Sequence, residues 1–170
     1  TIGTTSNGVS GNNQELGSLR RDRLDSIIDN AADTWFEYES VTRTQTNQPL
    51  ILELRLKLDA ESIVNTLDIS TVAFGAKKHP KITRLEVSID GITFTSILDQ
   101  IVSNAEVDGN NILDLNPTAD NMSESNKIYF PPRKITYINV MFQQNESYLI
   151  KTSSGSAFRK AIGLRGINVI

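Results

Sequence analysis

The only histidine of the chain, His79, lies in Lys77-Lys78-His79-Pro80-Lys81, a cationic run interrupted by proline. Imidazole and ammonium donors so placed can hydrogen-bond hydroxyls or a carboxylate. The plainer reading of the same run is a solvated basic loop. One histidine cannot build a multi-histidine metal site. A Ser-His-Asp triad would also need an activated serine, and the chain has no G-x-S-x-G elbow. Carboxylates are plentiful, 20 Asp and Glu in all, so some pair always looks catalytic. A glycosidase needs two at a defined separation in a cleft, and no pair here is marked out in that way. Asp108-Gly109-Asn110-Asn111 and the segment from Asp114 to Asp120 read as turn chemistry, because Asp and Asn side chains bond their own backbone. They lack EF-hand spacing. No glycine-rich phosphate loop is present, and the absence of Cys removes disulfides, thiol catalysis and Cys-ligated zinc together. No catalytic constellation is found, and the expectation is a protein that binds.

The elements that would position such contacts are strands. At 170 residues with 38% hydrophobic and 22% charged residues, the chain suits one globular domain with a sizeable core. A net charge of −3 argues against nucleic acid as a partner. No apolar run is long enough for membrane insertion. The strongest periodic signal is Leu50-Ile51-Leu52-Glu53-Leu54-Arg55-Leu56-Lys57-Leu58. A period of two places all the leucines on one face and the charges on the other, as in a half-buried antiparallel strand. Ser62 to Phe74 is β-branched, and Ile82 to Ile89 alternates again. Asp90-Gly91 then predicts a tight type I′ hairpin into Ile92–Ile97. Short strands follow at Ile112–Leu115, Lys127–Phe130, Lys134–Phe142, Ser147–Lys151 and Ala161–Ile170, with Pro131-Pro132 expected to stop the ladder. Ahead of these, Thr1 to Asn13 reads as a polar arm and Gln14 to Ile28 as a short helix. The division is therefore residues 1–23 as arm or linker and residues 24–170 as an all-β antiparallel sandwich.

Four segments share a likeness. Asp29-Asn30-Ala31-Ala32-Asp33-Thr34-Trp35 resembles the acidic loop that opens galactose-binding-like domains, the superfamily of discoidin domains and many carbohydrate-binding modules. Leu85-Glu86-Val87-Ser88-Ile89-Asp90-Gly91-Ile92-Thr93-Phe94 resembles the family's V-x-x-S-x-D-G-x-x-F/W hairpin. Pro132 to Val140 and Ile162 to Val169 are similar to its later strands. The resemblance implies an eight-stranded jelly roll that binds ligands through loops at one end. It also implies a structural calcium, with Asp29, Asp33 and Thr34 as oxygen donors of the kind calcium takes. Gly166 stands where the family usually supplies a further acid. The discoidin Cys pair is absent, and no pair of apolar loop tips stands out, which disfavours lipid binding. Trp35 could stack on a sugar, but a lone aromatic directly after a turn more often anchors a core.

The expected function is a non-catalytic binding module of a larger extracellular or virion-surface protein, with carbohydrate or another surface ligand as partner. The candidate loops are Gly75–Lys81, Asn116–Asn126 and Gln143–Ser147, with Lys78, His79, Arg133 and Tyr148 as ligand contacts. One alternative is a docking domain that meets neighbouring subunits in a tailed-phage virion. Another is an accessory carbohydrate-binding module of a polysaccharide-degrading enzyme.

Overall fold

The computed structural model describes residues 2–6, 18–21, 36–72, 79–103, 106–107, 113–114 and 123–170. Strands dominate them: β1 Ile2–Ser6, β2 Ser18–Arg21, β3 Phe36–Thr42, β4 Leu50–Val72, β5 Lys81–Ser88, β6 Thr95–Ser96, β7 Val102–Ser103, β8 Glu106–Val107, β9 Leu113–Asp114, β10 Ser123–Gln144, β11 Tyr148–Thr152 and β12 Gly155–Val169. All pairings are antiparallel. The main hydrogen-bonded path runs β2-β3-β12-β4-β10-β5-β9-β8.

The long strands explain the layers. A straight strand of 23 residues would be about 75 Å long at roughly 3.3 Å per residue. A compact chain of this size has a radius of gyration of only about 15 Å. β4 and β10 must therefore bend, and their shared ladder slips between Tyr129 and Arg133 and again between Ile135 and Tyr137. Irregularities of this kind let a strand turn a corner and pass from one sheet to the other. The first half of β4 pairs with Tyr137–Gln144 of β10 and with β1, while its second half pairs with Ser123–Ile135 and with β12. The result is a jelly-roll sandwich whose corner lies around Pro131-Pro132.

The leucine alternation is realised. Leu50, Leu52, Leu54 and Leu56 are buried and Leu58 packs against the same core, while Arg55 and Lys57 face solvent. Phe36 and Tyr38 meet them from β3, Leu67 and Ile69 from the second half of β4, Ile138, Val140 and Phe142 from β10, and Ile162 and Leu164 from β12.

Three expectations about local structure are corrected. Ile2–Ser6 forms β1 against Leu52–Leu56, because an edge strand offers free N–H and C=O groups that even a polar segment can pair with. Ser18–Arg21, inside the expected helix, is a strand against β3. Pro131-Pro132 does interrupt the ladder, between Tyr129 and Arg133, but it does not end the strand, which resumes pairing at Arg133 opposite Val64. The segment 29–35, with Asp29, Asp33, Thr34 and Trp35, lies outside the described residues, as does Lys78.

Candidate functional site

Among the described residues, a groove of about 410 Å³ opens at the sandwich corner. One wall is the end of β5 and the loop that follows it, through Val87, Ser88, Ile89, Asp90 and Thr93, with Thr95 of β6. The other is Arg133 and Lys134, where β10 resumes after its two prolines.

The first wall is organised by Asp90. The last β5–β6 register pair is Val87 with Thr95, so the connection is an extended loop over residues 88–94 and not the tight two-residue turn expected of Asp-Gly. The Asp90 side chain closes it. Its Oδ1 accepts from the amides of Ile92 and Thr93 and from the Ser88 hydroxyl, each at 2.9 Å. Ser88 Oγ in turn accepts from the Gly91 amide at 2.9 Å. The Thr93 amide first, then those of Ile92 and the Ser88 hydroxyl, hold the Asp90 carboxyl below its ordinary value. Gly91 is required at its position on two grounds. Its φ is +74°, and an added Cβ would lie 2.9 Å from the Tyr137 ring. Phe94 ties the far end of the loop to the sheet. The Arg55 guanidinium lies 4.8 Å from its ring centroid and donates through Nε to Asn139 Oδ1 at 2.9 Å. Ile89 and Ile92 are 53% and 85% exposed, an apolar pair on one loop that the sequence pattern alone did not reveal.

On the second wall, Arg133 Nη2 donates to Gln100 Oε1 at 2.7 Å. Its Nε is buried with no hydrogen-bond partner. Lys134 is mostly exposed and pairs with Glu61 at 3.1 Å.

The other candidate residues do not converge there. His79 is 7% exposed, and its Nδ1 lies 2.7 Å from Thr71 Oγ1 in the interior. It stands before β5, whereas the groove lies at the strand's far end, roughly 25 Å away at about 3.3 Å per residue. Tyr148 joins a different cluster. Its hydroxyl accepts from Arg159, which also donates to Glu37 and Glu39 across β12 and β3. Burial by itself lowers the Arg159 pKa, but Tyr148 and Glu39 outweigh it and hold the group above its ordinary value. Next to it Lys160, 2% exposed, donates to the Thr46 and Gln48 carbonyls at 2.7 and 2.5 Å. Burial lowers its pKa, while the Glu146 charge acts in the opposite sense.

Of the named contacts among the described residues, only Arg133 is thus placed on the groove. The residues missed are Ser88, Asp90, Thr93 and Thr95. Ser88, Asp90 and Thr93 stand in the quoted S-x-D-G hairpin, where the Asp read as a turn former, and Thr95 follows directly after it. Asp90 is the single carboxylate on the lining among the described residues. No group of three His, Cys, Asp or Glu able to hold a metal ion occurs among the described residues, nor does any helix long and apolar enough to cross a membrane. Hydroxyls, one guanidinium and one ammonium around an open groove can hydrogen-bond a polar ligand.

No family model matches the chain, and no curated protein matches it in sequence. Solved structures do match in shape. CBM32-3 from a family 31 glycoside hydrolase of Clostridium perfringens is 16% identical with a TM-score of 0.51, over 95% of this chain and 88% of that one. A putative alpha-L-fucosidase from Bacteroides thetaiotaomicron is 12% identical with a TM-score of 0.52, over 99% of this chain but only 27% of that much longer one. The expectation of a tailed-phage virion protein finds no support in these matches. At such identities the likeness concerns shape, and the shape is that of an antiparallel, galactose-binding-like jelly roll.

Proposed function

We propose that this chain is a non-catalytic glycan-binding module that holds its ligand in the groove between the Asp90 loop and Arg133. The observation that carries the reading is the groove's construction. An open wall carrying the Thr93 and Thr95 hydroxyls is fixed by a carboxylate-anchored loop, in which the Ser88 hydroxyl is itself engaged, and faces Arg133 and Lys134. Sugars present hydroxyls that both donate and accept, and a rigid array of short polar side chains meets them without large ordering costs. The presence of the same fold in CBM32-3 of a glycoside hydrolase favours a module that works outside the cell beside a catalytic domain over a virion docking piece.

The test is a glycan array followed by titration calorimetry on the best ligand. Arg133→Ala and Thr93→Ala should each weaken binding, Arg133→Ala by about tenfold or more, since a hydrogen bond to a charged group contributes about 1.5–3 kcal/mol. Both variants should keep the wild-type unfolding curve. A well-folded protein that binds nothing on the array, or whose binding ignores both substitutions, would refute the assignment.

A further inference from the structure

We propose that the groove selects a saccharide bearing a carboxylate, such as a uronic acid unit, and that Arg133 is the residue that reads the acid. The proposal rests on the glycan reading above and narrows it.

The arginines of the molecule differ in how their charge is met. Arg159 is enclosed by two carboxylates and a phenol. Arg84 lies 4.0 Å from both Glu53 and Glu86. Arg133 has only a neutral amide, Gln100 Oε1, and no carboxylate pairs with it among the described residues. A guanidinium carries five N–H donors. Here one of them is fixed by Gln100, which sets the plane of the group, while Nε is removed from water with nothing to accept from it. Buried donors without partners are rare in native proteins. The buried Nε marks a guanidinium whose hydrogen bonding is incomplete, and the half-buried group lines the groove with donors beyond the one that Gln100 holds. The acceptor that best suits a planar guanidinium is a carboxylate, whose two oxygens match parallel N–H vectors and return a full negative charge. Lys134, exposed on the same wall, already pairs with Glu61 at 3.1 Å, so reading the acid falls to Arg133.

Asp90 opposes an acid only weakly. It is fully exposed, so water and salt screen it. Its Oδ1 is already used by two amides and a hydroxyl of its own loop, which leaves Oδ2 to accept from a sugar hydroxyl. The groove therefore has an acid-reading side at Arg133 and a hydroxyl-reading side at Asp90, Thr93 and Thr95.

The experiment compares an oligogalacturonate with the same oligomer reduced at its carboxyls, by calorimetry on the whole chain at low and moderate salt. The acidic form should bind at least tenfold more tightly. That gap should narrow with added salt and on acidification through the pKa of the sugar acid. Arg133→Gln should close most of the gap by weakening the acidic oligomer by a larger factor than the reduced one, and Arg133→Lys should restore only part of it. Equal affinities, a preference for the reduced oligomer, or an equal loss for both in Arg133→Gln would overturn the acid-reading role and leave the groove as a glycan site. If neither oligomer binds and the array is also blank, the glycan reading fails as well. The wild-type comparison stands even where a variant folds poorly.

Discussion

Arg133 and Arg159 are the same residue type put to opposite uses. Arg159 is buried on β12, between β11 and β3, with Glu37, Glu39 and Tyr148 around its guanidinium. Every direction in which it could act is closed, and its role is to bind three strands together. Arg133 sits where β10 restarts after two prolines, is held by a single amide, and keeps a donor unmatched. A satisfied cation in a sheet interior is a piece of structure. An incompletely satisfied one on a groove can take a ligand.

The sharpest way to break that contrast is substitution at both sites with a stability readout. Arg159→Ala leaves Glu37 and Glu39 in a largely buried position without their cation, and removing one partner of a buried pair costs about 3–5 kcal/mol. Urea unfolding should show a loss of that order. Arg133→Ala should cost far less, because the half-buried side chain has one hydrogen bond, to a neutral amide, and truncation also removes a buried donor that has no partner. Replacing Glu37, Glu39 and Arg159 together by apolar residues of similar volume should recover most of the loss, because buried ion networks are often matched by well-packed apolar groups. Should Arg133→Ala prove as destabilising as Arg159→Ala, the two arginines would be doing the same job and the groove reading would weaken.

A smaller effect is expected at Gly91, on the wall facing Arg133. Gly91→Ala forces a side chain into φ +74° and brings Cβ within 2.9 Å of the Tyr137 ring. Left-handed backbone at a non-glycine residue costs about 1–3 kcal/mol. Combining the change with Tyr137→Ala separates the two causes. A cost that persists in the double variant belongs to the backbone, and one that vanishes belongs to the ring. Either way, glycan affinity should fall more than global stability, since the loop is the wall of the groove and the core lies elsewhere.

How far these regions could be read from sequence follows from what each depends on. The leucines of β4 were legible because period two is a local property, and one face of a strand has to be buried. Arg133 was legible as a cation beside a strand start. The groove was not, because it arises where a two-proline irregularity on β10 meets a loop from β5, and no local pattern encodes that meeting. His79 shows the converse. As one residue in a run of lysines it read as a loop donor, yet the chain brings Thr71 to its Nδ1 and seals both inside. The Arg159 cluster left a faint trace in Glu37-x-Glu39 alternating with Phe36 and Tyr38, a strand with acids on its second face that must be answered by cations once both faces are covered. β1 left none, since backbone pairing along an open edge places little demand on side chains.

The smallest effect, and the one that best separates the two regions, is the response to acid at Asp90. Its folded pKa is depressed below the ordinary 3.8 by the Thr93 amide first, then the Ile92 amide and the Ser88 hydroxyl. A depressed carboxyl contributes loop stability that is fully present above the unfolded value and is lost as pH falls through the folded one. The Ile92 and Thr93 amides should therefore keep their hydrogen-bonded chemical shifts down to below pH 3.8, then move together with a midpoint under that value. Affinity for a neutral oligosaccharide, whose own charge does not change, should decline over the same window. Asp90→Asn should abolish the transition in both readouts, because an amide side chain has no proton to gain there. A midpoint at or above 3.8 in the wild type would mean that the carboxylate does not hold the loop. The groove would then owe its shape to Gly91 and Phe94 alone.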